Sequence, residues 1–448
     1  MFIHPIKNDI DTLPMSKFQW IIITICFLLY VVDGYDFMVM AYVASAVSGE
    51  LALNGTQVGT LISAGIIGMT VGSLCIAPLG DKLGRRKLVL ISAFICGMSM
   101  VAATFAHSFN QLAFTRFIAG IGIGGIQISC MVLTAEFSAK KVRGFNLALL
   151  SAGYGLGATI GGVLAGIFIE HHSWRHAFMF GGVSTLILFL VAYIYIPESI
   201  DYLLHKQPKN ALAKINVVLA KFKRNLINEL PIITVTEQQQ GTIRQLFTAR
   251  YFAQTICLWV AMFFLLYGFY FIMGWTPKIM AQSGLSPQAG VQIGMWVSLG
   301  SILGSLTLGL LTTRFKIFHI QTVFLLCVAL TIFVFVNMTH NLGFLPVIAV
   351  VLGFFLNGCM AGIYTISALV YDSEVRSTGV GFATGLGRFG GISSPIIAGY
   401  FLDHGISPLS LYGYYLFIFI LAAIAIVILT KLYYSKNDPQ LAKQLIKS

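Results

Sequence analysis

Apolar residues run through this chain in long unbroken blocks, not in the one-sided stripes of a soluble helix. Residues 18–32, 89–106, 177–196, 323–336 and 416–429 are examples. A helix needs about 20 apolar residues to cross a hydrocarbon layer ~30 Å thick. Backbone groups in lipid must be satisfied within the structure that spans it, so helices are predicted in preference to open strands. The weak alternation that marks a transmembrane barrel is absent. The blocks predict twelve spans, at about 18–46, 57–79, 88–106, 111–135, 144–168, 177–196, 252–276, 289–311, 318–337, 345–370, 378–402 and 410–433. The fold class is therefore an all-α polytopic membrane protein.

The longest polar stretch, residues 197–251, divides these spans into six and six. It is basic, contains Pro197, Pro208 and Pro231, and includes one amphipathic stretch at 210–222. The predicted organisation is a first half (1–196), a cytoplasmic linker (197–251), a second half (252–433) and a cytoplasmic tail (434–448). The halves are related in sequence. A shift of about 232 places Gly68, Gly72, Ser73, Leu74 and Leu79 on Gly300, Gly304, Ser305, Leu306 and Leu311. A shift of about 233 places Val142, Arg143, Ala165, Gly166, Phe168 and His171 on Val375, Arg376, Ala398, Gly399, Phe401 and His404. Two windows at nearly one offset argue for a parallel repeat. Such a layout, with a site at the interface between halves, is common among secondary transporters.

Composition agrees: 57% of the 448 residues are hydrophobic and only 10% are charged, against roughly 25% charged in soluble domains. The formal net charge of +12 raises the question of nucleic acid, but its placement answers it. With the N-terminus inside, the segments assigned to the cytoplasm hold 24 of the 28 Lys and Arg residues, while the external loops hold only Arg175 and Lys278. This bias places both termini in the cytoplasm and reads as an orientation signal, with contact to anionic lipid a secondary role. No nucleic-acid partner is expected. The N-terminus is polar and the first apolar run is too long for a cleaved leader, so no separable signal peptide is expected. The seven cysteines all fall inside apolar spans without metal spacing, and no disulfide, metal or cofactor is expected. His171-His172 is too isolated for a metal site. Asn54-Gly55-Thr56 has the form of a glycosylation acceptor.

The loop after the second span reads Ala77-Pro-Leu-Gly-Asp81-Lys-Leu-Gly84-Arg85-Arg86-Lys87. The fourth span opens Arg116-Phe-Ile-Ala-Gly120-Ile-Gly122-Ile-Gly124-Gly125 and is followed by Glu136 and Arg143-Gly144; the sixth ends Pro197-Glu198-Ser199. These motifs resemble those of the major facilitator superfamily. Asp33-Gly34-Tyr35-Asp36 in the first span, and the run from Arg376 to Gly390 in the eleventh, are similar to the aromatic acid:proton symporter family. That resemblance implies proton-coupled uptake of an aromatic or related carboxylate. Departures are Ile128 and Asp372 where that family often has proline, and a second-half copy of the signature loop (Gly309 to Arg314) without its aspartate.

Four charges sit well inside spans: Asp33, Asp36, Arg116 and Arg388. An ionised side chain at a helix centre costs about 2.5–3.5 kcal/mol on insertion scales, so such residues are rare and usually functional. Asp33 and Asp36, at i and i+3, share a helix face and are expected to be proton-linked. Arg116 and Arg388 are expected to place positive charge near them, with Arg388 meeting the acid group of the substrate, since arginine holds carboxylates bidentately. The alternative is a static charge network between helices. Tyr267 and Tyr270 in the aromatic-rich seventh span, with Trp296, Asn357 and Tyr364, are candidates for a ring-binding cavity. Packing against lipid and the interface is expected for most of the seventh-span rings, Trp275 especially. The resemblance implies that Asp81, Arg85, Arg86, Glu136 and Arg143 form a gating charge network at the cytoplasmic edge. The glycine run of the fourth span follows no strand and reads as close helix packing.

The function expected is symport by rocking of one half against the other, in a chain that works as a monomer in a bacterial inner membrane. Export of drugs, uptake of a dicarboxylate or nicotinate, and a non-transporting sensor on a carrier fold stand as alternatives. The fifth span lacks the Gly-Pro pair usual in drug exporters. No filter loop, nucleophile set or H-E-x-x-H motif points to a channel or an enzyme.

Overall fold

The computed structural model describes residues 5–76, 79–171, 173–230, 243–339, 343–372 and 375–437. Its helices run α1 (Pro5–Thr12), α2 (Lys17–Glu50), α3 (Gly55–Val71), α4 (Gly80–Leu83), α5 (Arg85–Ala103), α6 (Phe109–Phe137), α7 (Lys140–His171) and α8 (Trp174–Tyr195). There follow α9 (Ile200–Lys206), α10 (Ala211–Lys221), α11 (Ile243–Leu246), α12 (Phe252–Gln282) and α13 (Pro287–Leu311). The series closes with α14 (Ile317–Asn337), α15 (Leu345–Val370), α16 (Arg376–Asp403) and α17 (Pro408–Asn437). Among the described residues, eleven helices are long and apolar enough to cross a membrane: α2, α3 with its terminal turn, α5 to α8, α12 to α15 and α17. Helix α16 is as long, at 28 residues, but its glycines, Arg388 and flanking charges make it less apolar.

Local sequence sets the helix ends. Ser108, Ser173 and Ser286 are N-caps whose hydroxyls accept from the backbone N–H of Gln111, Arg175 and Ala289; a side-chain oxygen there satisfies an N–H that has no helical partner. Pro287 opens α13, where its missing N–H costs nothing. Helix α3 ends in a π turn, Gly72–Ile76, directly before the signature loop.

The chain packs into two compact units, Met1–Met40 with Ala64–Thr236, and Ala41–Ser63 with Glu237–Ser448. The division falls within α2 and α3. In the first unit, α1 was not legible as a helix, yet Ile6 and Ile10 bury beside Phe137, Leu203, Ile215 and Phe222. Helices α9 and α10, inside the predicted linker, join the same cluster through Leu203, Leu204, Ile215, Val218 and Leu219. Phe222 meets Phe137 edge-on, with centroids 5.4 Å apart. Burying a side chain of that size contributes on the order of 1.5–3 kcal/mol.

Each unit contains the same glycine seam. A β-carbon on Gly68 or Gly72 would collide with the carbonyls of Phe117 and Ile121 on α6. One on Gly300 or Gly304 would collide with those of Val350 and Phe354 on α15. Phe117 and Ile121 stand 233 residues before Val350 and Phe354, close to the offset of the glycines themselves. The repeat read from the sequence therefore extends to the packing partners, and small residues let the backbones approach.

Candidate functional site

In the first unit, α2 and α6 bring three of the four deep charges together. Asp36 is wholly buried and Arg116 is 3% exposed. The Nη1 of Arg116 donates to the Oδ1 of Asp36, and Nη2 donates to the Asp36 carbonyl at 3.0 Å. The guanidinium carbon lies 5.7 Å from the centre of the Phe178 ring. The Cys96 thiol donates to Asp36 Oδ2 at 3.5 Å. Gly65 makes room for the pair, since a β-carbon there would stand 3.3 Å from Arg116 Nη2.

Asp33 is also buried, at 1% exposure, but its surroundings differ. Gln127 Nε2 donates to Asp33 Oδ2 at 2.9 Å, and Tyr30 fixes the Gln127 backbone by donating to its carbonyl at 2.7 Å. Asp33 Oδ1 has no hydrogen-bond partner among the described residues. Arg116 thus serves Asp36 and not both carboxylates. The sequence reading missed Gln127, Tyr30 and Cys96; Gln127, a lone amide midway along the fourth span, was the signal available.

The second unit carries Arg388, Tyr267, Tyr270, Trp296, Asn357 and Tyr364. Arg388 is half-buried on α16, with Tyr364 of α15 as an electrostatic neighbour. Tyr267 belongs to a ladder of rings: it stacks on Phe263 at 6.0 Å and on Tyr415 at 5.3 Å, and Tyr415 stacks on Phe271 at 3.6 Å. The Tyr415 hydroxyl is anchored by Ser394, whose Oγ donates to it at 3.0 Å. Tyr270 meets Phe269 edge-on and packs on Gly391. Asn357 donates to the Ser301 carbonyl at 2.8 Å, tying α15 to α13. Trp296 is half-buried on α13.

The expected lipid-facing role is corrected for Phe269, Phe271 and Trp275, which are buried. None of Trp259, Phe263, Phe264, Tyr267, Phe269, Tyr270, Phe271 and Trp275 is exposed. Trp275 is wholly buried, and its indole N–H donates to the Pro395 carbonyl at 3.1 Å. A buried indole needs a partner for that donor, and Pro395 within α16 supplies one. Lys278, assigned to an external loop, lies inside α12, 6% exposed, and donates to Ser48 Oγ at 2.7 Å.

Of the five residues expected at a cytoplasmic gate, Arg86, Glu136 and Arg143 have backbone groups among their partners. Glu136 accepts from the Ser199 hydroxyl at 2.6 Å and from Asp201 N–H at 2.9 Å, fixing the start of α9. Arg86 donates to the Tyr193 carbonyl at 2.7 Å. Arg143 pairs with Asp11 of α1 and donates to the Ser138 carbonyl. Arg85 lies beside Gly80, and the side chain of Asp81 falls outside the described residues. Glu198, noted only as part of a motif, accepts from Arg86 N–H at 2.9 Å. It stands so close to Gly84 that a β-carbon there would collide with it; Gly84 has φ +100°, a conformation that favours glycine.

Two carboxylates in the second unit, Asp372 (noted only as a departure from the family pattern) and Asp403, have partners that the sequence did not show. Asp372 accepts from Arg250 Nη2 at 2.5 Å and from the Tyr251 hydroxyl. Asp403 accepts from Gly55 N–H (2.6 Å), Thr56 N–H (2.8 Å) and the Thr56 hydroxyl (2.6 Å), capping α3. Partial burial opposes ionisation of Asp403, but these hydrogen bonds and His404 hold its carboxyl below the usual carboxylate range.

Helix-lined units with buried charge and a glycine-seamed repeat define a membrane carrier, and sequence comparison agrees. Residues 26–336 and 297–447 match the family model described as Major Facilitator Superfamily, and the chain belongs to that superfamily. It is 30% identical over 406 residues to a gallate transporter of Pseudomonas putida, covering 90% of this chain and 89% of that one. It is 29% identical over 389 residues to a 4-hydroxybenzoate transporter of Acinetobacter baylyi, covering 86% and 85%. Among solved structures it resembles the partially occluded inward open xylose transporter XylE from E. coli, with TM-score 0.70, 14% identity and coverage of 91% and 97%. That likeness is one of fold. The protein is an integral membrane transporter, not an enzyme, and the relatives named are transporters of bacteria.

Proposed function

We propose that this protein imports an aromatic carboxylate together with protons by alternating access, with Asp33 as the principal proton carrier. The observation that carries this reading is the contrast on α2. Asp36 has a guanidinium against it, so its charge is balanced in place. Asp33 has one amide donor and an oxygen with no partner among the described residues. An ion in low dielectric needs a counter-charge, and a proton is the counter-charge available to Asp33. Gallate and 4-hydroxybenzoate, the cargoes named for the relatives, are rings bearing a carboxylate. For such a cargo Arg388 supplies the charge, and Tyr267, Tyr270, Trp296 and Tyr364 supply faces and edges for the ring. Asp36 and Arg116 fix the position of α2 against α6, and Asn357 fixes α15. Asp81, Arg85, Arg86, Glu136 and Arg143 brace the cytoplasmic edge.

The same reading gives twelve spans in two groups of six, with α16 as the eleventh, both termini cytoplasmic, and a monomer as the working unit. Lower hydropathy in α16 fits a helix that carries Arg388 for function. The test is uptake of labelled 4-hydroxybenzoate, benzoate, cis,cis-muconate, nicotinate and glucose into proteoliposomes, with and without an inward proton gradient. Gradient-driven accumulation of an aromatic acid is expected. Accumulation of glucose or muconate alone, or uptake indifferent to the gradient, overturns the assignment.

A further inference from the structure

A cavity of about 530 Å³ opens where α9 and α10 lie against the start of α5 and the end of α8, all within the first unit. Four cations line it: Arg86 and Lys87 from α5, and Lys214 and Lys221 from α10. Its one lining carboxylate, Glu198, is already occupied by the backbone N–H groups of Arg86 and Ser199, at 2.9 and 3.0 Å. Arg86 is held in place by the Tyr193 carbonyl and by the Tyr193 ring, 5.5 Å away. Its Nε is buried and has no hydrogen-bond partner among the described residues. Among the described lining residues, four cations therefore face one carboxylate, an excess of positive charge.

The rim is apolar. Ile194, on α8, is 67% exposed, and Val217, on α10, is 57% exposed. Ile194 continues the exposed apolar face of α8 through Leu190 and Ile187, the face expected to meet acyl chains. Val217 lies away from the buried face of α10, which is formed by Ala211, Ile215, Val218 and Leu219. A soluble anion would use the cations and leave these side chains in water. An amphiphile uses both, with a phosphate among the cations and a chain along Ile194.

We propose that this cavity binds the headgroup of an anionic phospholipid at the cytoplasmic edge of the membrane, with one acyl chain laid along α8. Basic pockets at that level have the chemistry to hold such headgroups, and arginine with lysine matches phosphate oxygens. The bound lipid would join the first turn of α5 to α10.

The test is native mass spectrometry of the full chain, delipidated in detergent and offered equal amounts of phosphatidylglycerol and phosphatidylethanolamine with the same acyl chains. Preferential retention of phosphatidylglycerol is expected. A Lys214→Gln/Lys221→Gln variant should lose about thirtyfold in that preference, the size expected of two lysines at an anionic surface. Val217→Asp, at an exposed position, should weaken retention of both lipids and provides a second variant if the first folds poorly. Equal retention of the two lipids by the wild-type chain overturns the proposal. So does an unchanged preference in the lysine variant together with unchanged retention in Val217→Asp, or displacement of the lipid by inorganic phosphate at equal concentration, which would assign the cavity to a soluble anion.

Discussion

The first unit buries Asp33, Asp36 and Arg116 among apolar helices, whereas the second carries a half-buried arginine, Arg388, beside α12 with its ladder of stacked rings. Yet both units rest on the same glycine seam, with partner carbonyls at the same offset. Scaffold and chemistry have thus separated. Backbone contact at four glycines sets the helix spacing, and the residues elsewhere on those helices set what each unit does. The difference teaches that a repeat predicts packing far better than it predicts site residues. The repeat counterpart of Arg388 is Gly155, so no symmetry argument from the first half would have found that arginine.

The most severe way to break the comparison is to attack what the units share. Gly304→Val places a side chain where the Phe354 carbonyl stands and should abolish folded protein in the membrane, read by size-exclusion of the solubilised chain. Gly72→Val should do the same in the first unit. If either folds normally, the seam is not what spaces the helices.

Next come the two carboxylates buried in the first unit, Asp33 and Asp36. Asp33→Asn should abolish gradient-driven accumulation in proteoliposomes while leaving thermal stability within about 0.5 kcal/mol, as for a substitution that breaks no pair. Asp36→Asn should cost about 3–5 kcal/mol, because Arg116 is left buried and unpaired, and Arg116→Gln on that background should restore part of the loss. Equal destabilisation by the two asparagines would erase the distinction between proton carrier and structural pair.

The second unit offers a smaller effect. Arg388→Lys keeps the charge and loses the fork that grips a carboxylate; it should raise KM for the aromatic acid about tenfold or more with little change in protein level. Unchanged KM would remove Arg388 from the binding role. The smallest effect expected is at Asp403. Its carboxyl is held below the ordinary range, so its contribution to capping α3 is present above the unfolded value near 3.9 and is lost only as pH falls through the lower folded value. Stability from this cap should therefore be flat between pH 5 and 8 (to about 0.5 kcal/mol), and Asp403→Ala should lower it by about 1 kcal/mol at every pH in that window. A pH-dependent loss near neutrality would contradict the geometry.

Most of the helices were legible because a membrane span needs a long apolar run and nothing more subtle. Their ends were less so: α2 continues to Glu50 and α12 to Gln282, since a helix persists past the apolar stretch where the next residues are packed. Helix α1 was hidden by its length, eight residues with Ile6 and Ile10 buried. Of the site, Asp33, Asp36 and Arg116 stood out because charge inside a span is costly. What the sequence could not display was who pairs with whom, since Arg116 is 80 residues from Asp36 and Gln127 is 94 from Asp33. Glu136 was read as a member of a charge network and Glu198 only as part of a motif, and the partners of both proved to include backbone N–H groups. No side-chain motif can announce a backbone partner.

The glycine seam has one further consequence, for ancestry. A contact between a missing side chain and a carbonyl asks almost nothing of its partner, because every residue type has that carbonyl. Phe117 and Ile121 face one pair of glycines, Val350 and Phe354 the other, and the change of side chain leaves the contact intact. After an ancestral gene duplication, a seam of this kind would let each copy drift in everything but its two glycines. One copy was free to acquire acids and the other rings, without either losing the fold they inherited.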